Sequence, residues 1–113
     1  KALIIVDVQN DFAKEDHLKS KDQALFSIYQ PSCQDEEFSK IFVTKDWHTA
    51  NHTSFAVNRN KKPFESIYDV NGNEEIVWPV HCVQYSRGAE LSPLLDLDGK
   101  NVIEIRKGFI PTE

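Results

Sequence analysis

Asp46 and His48 stand two residues apart, directly behind the apolar run Lys40-Ile41-Phe42-Val43-Thr44. A carboxylate oxygen and an imidazole nitrogen suit a divalent transition metal, zinc included. At that spacing in a loop, both can face one ion. His81 offers a third ligand atom. Two histidines and one aspartate leave coordination positions open, as a catalytic site requires and a closed structural site does not. Asp-x-His alone is a weak signal, because an ordinary surface loop carries it too. His52 competes for a ligand place four residues past His48, but a loop histidine bonded to backbone is the simpler reading. His17 lies in a charged stretch and reads as exposed.

Other residues bear on the same chemistry. Asp7 ends the apolar run Ala2-Leu3-Ile4-Ile5-Val6. It could serve as a general base held by a strand, or cap the turn Gln9-Asn10-Asp11. Lys107 follows Asn101-Val102-Ile103-Glu104-Ile105-Arg106. Near Asp7 it would stabilise a carboxylate or a developing negative charge; otherwise it is a solvated lysine at a strand end. Gly108 permits close backbone approach or a turn. Phe12 and Trp78 could stack on a flat heteroaromatic ring, although residue type alone favours the core. Trp47, between two ligand candidates, must point away from them and reads as packing. Cys82 beside His81 has the place of a nucleophile, but an unpaired cysteine is more often a small buried hydrophobe. Cys33 has no catalytic neighbours in sequence.

These residues need elements to position them. The three apolar runs read as strands, and the first, continuously apolar, fits a strand covered on both faces of a parallel sheet. About thirty residues separate the first two, enough for a helical crossover. Leu25, Ile28 and Tyr29 have helical spacing, stopped by Pro31, and Ser32 with Asp35 could cap a second helical piece reaching Phe38. From Asn51 to Trp78 the chain is polar, with Pro63 and an Asn71-Gly72-Asn73 turn, and long loops of this kind are often functional. Gly88 to Leu95 suggests a short helix disturbed by Pro93, and Asp98-Gly99 a turn into the third strand. The pattern is α/β with a parallel sheet. Ligands of such sheets bind beyond the carboxyl ends of the strands. Asp7, the Asp46/His48 pair and Lys107 would therefore share one rim.

Composition bounds the remaining choices. The 113 residues are one domain at most, 40% hydrophobic and 27% charged, with a net charge of −5. Arg59, Lys61 and Lys62 are the nearest approach to a basic run, so neither nucleic acid nor a membrane surface is an expected partner. No apolar stretch is long enough to span a bilayer, and no signal peptide is visible. Two cysteines do not make a disulfide scaffold, and a reduced, intracellular, cytoplasmic setting is the default.

The chain resembles the nicotinamidases of the isochorismatase-like hydrolase superfamily. The matching segments are Ala2 to Phe12; Thr44-Lys45-Asp46-Trp47-His48 with Asn51 to Phe55; Trp78-Pro79-Val80-His81-Cys82-Val83 with Gly88 to Leu91; and Lys107-Gly108-Phe109. They keep the family's order and span nearly the whole chain. Each is modest alone, but together they are highly specific. The resemblance implies a three-layer α/β/α fold with a central parallel sheet, of which residues 1–113 are the N-terminal part of a single domain. It implies that Asp7 and Lys107 are catalytic, that Asp46, His48 and His81 bind one divalent ion, zinc first, and that Phe12 and Trp78 wall the pyridine pocket. The implied reaction takes nicotinamide to nicotinate and ammonia through a cysteine thioester, a step of NAD salvage. Pyrazinamide is an implied second substrate, and a homo-oligomer is left open.

The chain departs from the family in two places. The family's nucleophilic cysteine lies well past the lysine motif, and Cys82 aligns instead with the residue after the metal histidine. Three apolar strands alone bury too little surface, so the expectation is a stretch of a chain roughly twice this length. Ala13-Lys14-Glu15-Asp16-His17 also lacks the glycines usual in that turn. Two other readings stand beside the first. One is another small-amide hydrolase of the superfamily; the other is a non-catalytic remnant that binds a metal and a ring.

Overall fold

The computed structural model describes residues 1–13, 38–97 and 100–113. Three strands, β1 (Ala2–Val6), β2 (Lys40–Asp46) and β5 (Val102–Lys107), form a parallel sheet in the order β1-β2-β5. Ile4 pairs with Phe42 and Phe42 with Ile103; Val6 pairs with Thr44 and Thr44 with Ile105. The expected strands are all present, as is their parallel arrangement. Pairing continues past the expected ends, so Asp46 and Lys107 are the terminal register pair of β2 and β5, not residues beyond them.

The sheet's two faces differ. Ile5, Ile41, Val43 and Leu95 form a buried cluster, with Leu3, Val8, Leu91, Leu97 and Val102 packed against it. Each fully buried aliphatic side chain contributes on the order of 1.5–3 kcal/mol. The opposite face is open: Ile4 and Val6 are each 63% exposed, and Ile103 and Ile105 are exposed as well. Among the described residues, packing against β1 is seen on one face. The segment carrying Leu91, Leu95 and Leu97 packs on one side only, and strand side chains alternate between sides.

The stretch from Asn51 to Trp78 is not a plain loop. It contains a 3-10 turn at Ala56–Arg59 and an antiparallel hairpin of β3 (Ser66–Tyr68) and β4 (Glu74–Ile76). The Asn71-Gly72-Asn73 turn closes that hairpin, with Gly72 at a φ of 82°. Ala56, Ile67 and Val77 form a small core beneath it. The helix expected from Gly88 to Leu95 shrinks to a 3-10 turn at Arg87–Ala89. Gln9 bridges to Leu91 and Ser92 donates to the Val8 carbonyl, so backbone pairing holds the following residues extended. The crossover helix read at Leu25, Ile28 and Tyr29, the cap at Ser32, the turn at Asp98-Gly99, His17 and Cys33 all lie outside the described residues.

Candidate functional site

The carboxyl rim of the sheet collects the polar residues. Asp46, at the end of β2, has its Oδ2 3.7 Å from His48 Nε2 and 3.9 Å from His81 Nε2. One ligand atom from each of these residues lies within 4.8 Å of the others. The backbone brings the histidines in: His48 bridges to Val83 in parallel fashion, and its N–H donates to the Cys82 carbonyl at 3.0 Å.

Both histidines have a fixed tautomer. His48 Nδ1 is 2.8 Å from the Gly108 carbonyl, and His81 Nδ1 is 2.7 Å from the Pro79 carbonyl. A carbonyl only accepts, so each Nδ1 carries the proton and each Nε2 presents a lone pair to the cluster. Ligating histidines are ordinarily held in this way. A tetrahedral ion with ligands about 2.1 Å away needs donor atoms separated by roughly 3.4 Å. The observed spacings are slightly wider, and the donor set of two nitrogens and one carboxylate fits a divalent ion of the zinc type.

Gly108 makes this approach possible. It adopts a φ of +66°, and a Cβ there would overlap the His48 ring, lying 2.7 Å from Nδ1. Of the two uses foreseen for this glycine, the close backbone approach is the one seen.

Asp7 does not cap the turn after β1. Its Oδ1 accepts the Thr44 hydroxyl at 2.7 Å, and its Oδ2 lies 2.8 Å from Lys107 Nζ. Asp7 itself has a φ of 52°, an uncommon conformation for a residue other than glycine. Lys107 also donates to Asp46 Oδ1, so one ammonium joins Asp7 to the Asp46/His48/His81 cluster. Burial pulls the Lys107 pKa down, but hydrogen bonds to Asp46 and Asp7 outweigh it and hold the pKa above its usual value. The group is an ammonium at neutral pH.

Neither aromatic candidate is core. Phe12 is 48% exposed and its ring centroid is 5.6 Å from that of His81, beside the cluster. Trp78 is also half-exposed and meets Phe64 edge-on at 5.8 Å. Trp47 is buried facing away from the cluster, as its place between two ligand candidates requires. Arg106 lies 4.1 Å and Lys45 5.0 Å from its ring, which anchors the ligand loop by cation–π contact.

His52 is buried outside the ligand group, with its ring 4.3 Å from that of His48. Ser54 N–H donates to its Nδ1 at 3.2 Å, in keeping with a loop histidine bound to backbone. Burial first, then the neighbouring His48 and His81, lower its pKa and keep it neutral. Cys82 is wholly buried, and its N–H donates to Asp11 Oδ2 at 2.8 Å. Burial, followed by Asp11, Asp46 and Asp7, pushes its thiol up to about 12. Such a thiol is inert at neutral pH.

Thr44 and Gln9 were not foreseen in the sequence. Thr44 was legible only as a strand residue, although it lies two positions before Asp46 on the same face. Gln9 gives one signal in retrospect, a polar residue in the short link between Asp7 and Asp11.

A parallel sheet with an Asp/His/His cluster and an Asp–Lys pair at its carboxyl rim is thus the arrangement to set beside known proteins. The chain is similar to nicotinamidases. The nicotinamidase of Acinetobacter baylyi is 46% identical over 112 residues, covering 96% of this chain and 50% of the relative. A solved nicotinamidase and pyrazinamidase of Acinetobacter baumanii superposes with a TM-score of 0.77 at 36% identity, over 96% of this chain and 51% of that one. The yeast nicotinamidase bound to the inhibitor nicotinaldehyde superposes with a TM-score of 0.74 at 30% identity, over 97% of this chain and 57% of that one. The Pyrococcus horikoshii pyrazinamidase in complex with zinc gives a TM-score of 0.64 at 29% identity, over 99% of this chain and 54% of that one. No protein-family model matches the chain. The chain spans about half the length of the curated relatives it matches.

Proposed function

We propose that the chain supplies the metal-binding and acid–base part of a nicotinamide amidohydrolase, as the N-terminal part of a single isochorismatase-like domain. One observation carries this reading: Lys107 joins Asp7 to an Asp46/His48/His81 cluster whose ligand atoms lie within 4.8 Å of one another. The nicotinamidase relatives and the neighbour bound to nicotinaldehyde support the choice of substrate.

A divalent ion, zinc first, supplies an anchor for the pyridine nitrogen when bound at Asp46, His48 and His81. Phe12 and Trp78 wall the ring. Asp7 accepts the proton of the attacking thiol and passes it to the departing ammonia. Lys107 holds Asp7 in place and offsets negative charge developing on the substrate. On this reading the thiol is the family's nucleophilic cysteine, expected past the lysine motif, and not Cys82, which is buried and inert. Attack on the carboxamide carbon forms a thioester and expels ammonia; water then releases nicotinate and restores the thiol. Pyrazinamide is a second substrate on this reading, NAD salvage the setting and the cytoplasm the location. Among the described residues no helix is long and apolar enough to cross a membrane.

The test is formation of nicotinate and ammonia by the protein, with metal content measured alongside. Turnover that survives Asp46→Ala combined with His81→Ala would refute the metal assignment. The buried state of Cys82 favours one second reading, a protein that binds a metal and a ring without cleaving the amide. Ring binding with no ammonia release would establish it.

A further inference from the structure

We infer that Gln9 is a positioning residue that holds the Asp46 carboxylate in the cluster. Gln9 is 0% exposed, although it belongs to none of the strands. Its side-chain amide takes both backbone groups of Asp46. Nε2 donates to the Asp46 carbonyl at 2.8 Å, and Oε1 accepts the Asp46 N–H at 2.8 Å. The second Nε2 hydrogen goes to the Ala89 carbonyl at 2.9 Å.

The need for this arrangement follows from the parallel ladder. Alternate residues of β2 turn their N–H and C=O toward β1. The Thr44 carbonyl still receives the Asp7 N–H at 3.1 Å, but pairing of β1 with β2 ends at Val6 and Thr44. At Asp7 the chain turns away with a φ of 52°. Asp46, the next residue on that row, would lack a partner on that side. The Gln9 amide stands where the missing peptide unit of β1 would be. On the other side, the Trp47 N–H donates to the Lys107 carbonyl at 2.8 Å. The Asp46 backbone is therefore fixed from both flanks, and its carboxylate is directed toward His48, His81 and Lys107. Through Ala89, Gln9 also ties this position to the segment after His81. Asn10 adds a second tie there, from its Nδ2 to the Arg87 carbonyl at 2.8 Å.

The consequence for ligand binding rests on the metal reading of Asp46; the backbone restraint does not. The experiment separates the two. Gln9→Leu keeps the volume and removes all three hydrogen bonds, while Gln9→Glu keeps the acceptor and replaces both donors with lone pairs. Leu97→Ala, in the core cluster away from the rim, serves as the destabilised control. Amide exchange is followed by NMR in the metal-free protein, and zinc affinity by titration. In both Gln9 variants the Asp46 amide is expected to exchange at least about tenfold faster, while Ile5 and Val43 stay as in the parent. Zinc affinity is expected to fall roughly 10- to 100-fold. Leu97→Ala changes neither selectively. Should Gln9→Leu fail to fold, Gln9→Glu is read by the same criterion. Asp46 exchange that merely follows Ile5 and Val43, or matches the Leu97→Ala pattern, overturns the proposal. A parent protein that takes up no zinc defeats the metal reading instead, and the exchange data still decide the role of Gln9.

Discussion

The Thr44 hydroxyl donates to Asp7 Oδ1 at 2.7 Å, across adjacent parallel strands. With Lys107 on Oδ2, both carboxylate oxygens are held, which suits a base that must wait in one orientation. Thr44→Val removes the first restraint at nearly constant volume. The expected loss of stability is about 1–2 kcal/mol, measured by denaturant titration, because a partly buried charged acceptor loses its donor. Nicotinamide turnover is expected to fall by about tenfold or more, given what general base catalysis contributes. Thr44→Ser, which keeps the hydroxyl, recovers most of both. Equal behaviour of the two variants would show that the hydroxyl is not the cause.

Gly108→Ala tests the close approach behind His48. The substitution places a non-glycine residue at a φ of +66° and a methyl group against the imidazole. The conformational cost alone is about 1 kcal/mol. Displacement of the ring should also weaken zinc uptake, read by elemental analysis after dialysis. An alanine variant that retains full metal content would show that His48 can move without leaving the cluster.

The buried thiol gives a prediction on the alkaline side. Cys82 ionises near 9.0 when unfolded and near 12 in the folded protein. A folded pKa above the unfolded one gives stability that is complete below pH 9 and is lost as pH rises toward 12. Cys82→Ala should therefore flatten the fall in stability across that window. In the folded parent, a thiol reagent at pH 8 should leave Cys82 unmodified. Rapid labelling would contradict the buried, protonated state.

Lys107 adds a neighbouring signal. Its raised pKa means that its pairing with Asp7 and Asp46 stabilises the fold at neutral pH and is lost as pH climbs past the ordinary lysine value of 10.5. Lys107→Met should be less stable than the parent at pH 7 and approach it at high pH. Exposure of the side chain keeps the difference modest, since solvent screens the pair. A gap that stays constant with pH would point to packing by the aliphatic stem.

The sequence disclosed the site better than its supports. That Asp46, His48 and His81 come together was readable because few residue types suit a metal, and the strands because continuous apolar runs have few other uses. Chain pattern could not disclose what three-dimensional pairing decides. The β3–β4 hairpin escaped notice because Glu74 and Glu75 are exposed and only Ile67 on the facing strand is buried. The helix expected at Gly88 to Leu95 gave way to backbone bonds with the segment after β1, made across about eighty positions of chain. Gln9 was invisible for the same reason, since its three partners come from Asp46 and Ala89.

The pairing of Asp46 with Lys107 carries one more implication. Side chains along a strand alternate faces, so sliding β5 by one residue would bring Arg106 beside Asp46 and turn its guanidinium to the opposite side. Only the observed alignment places the Lys107 ammonium on both Asp7 and Asp46.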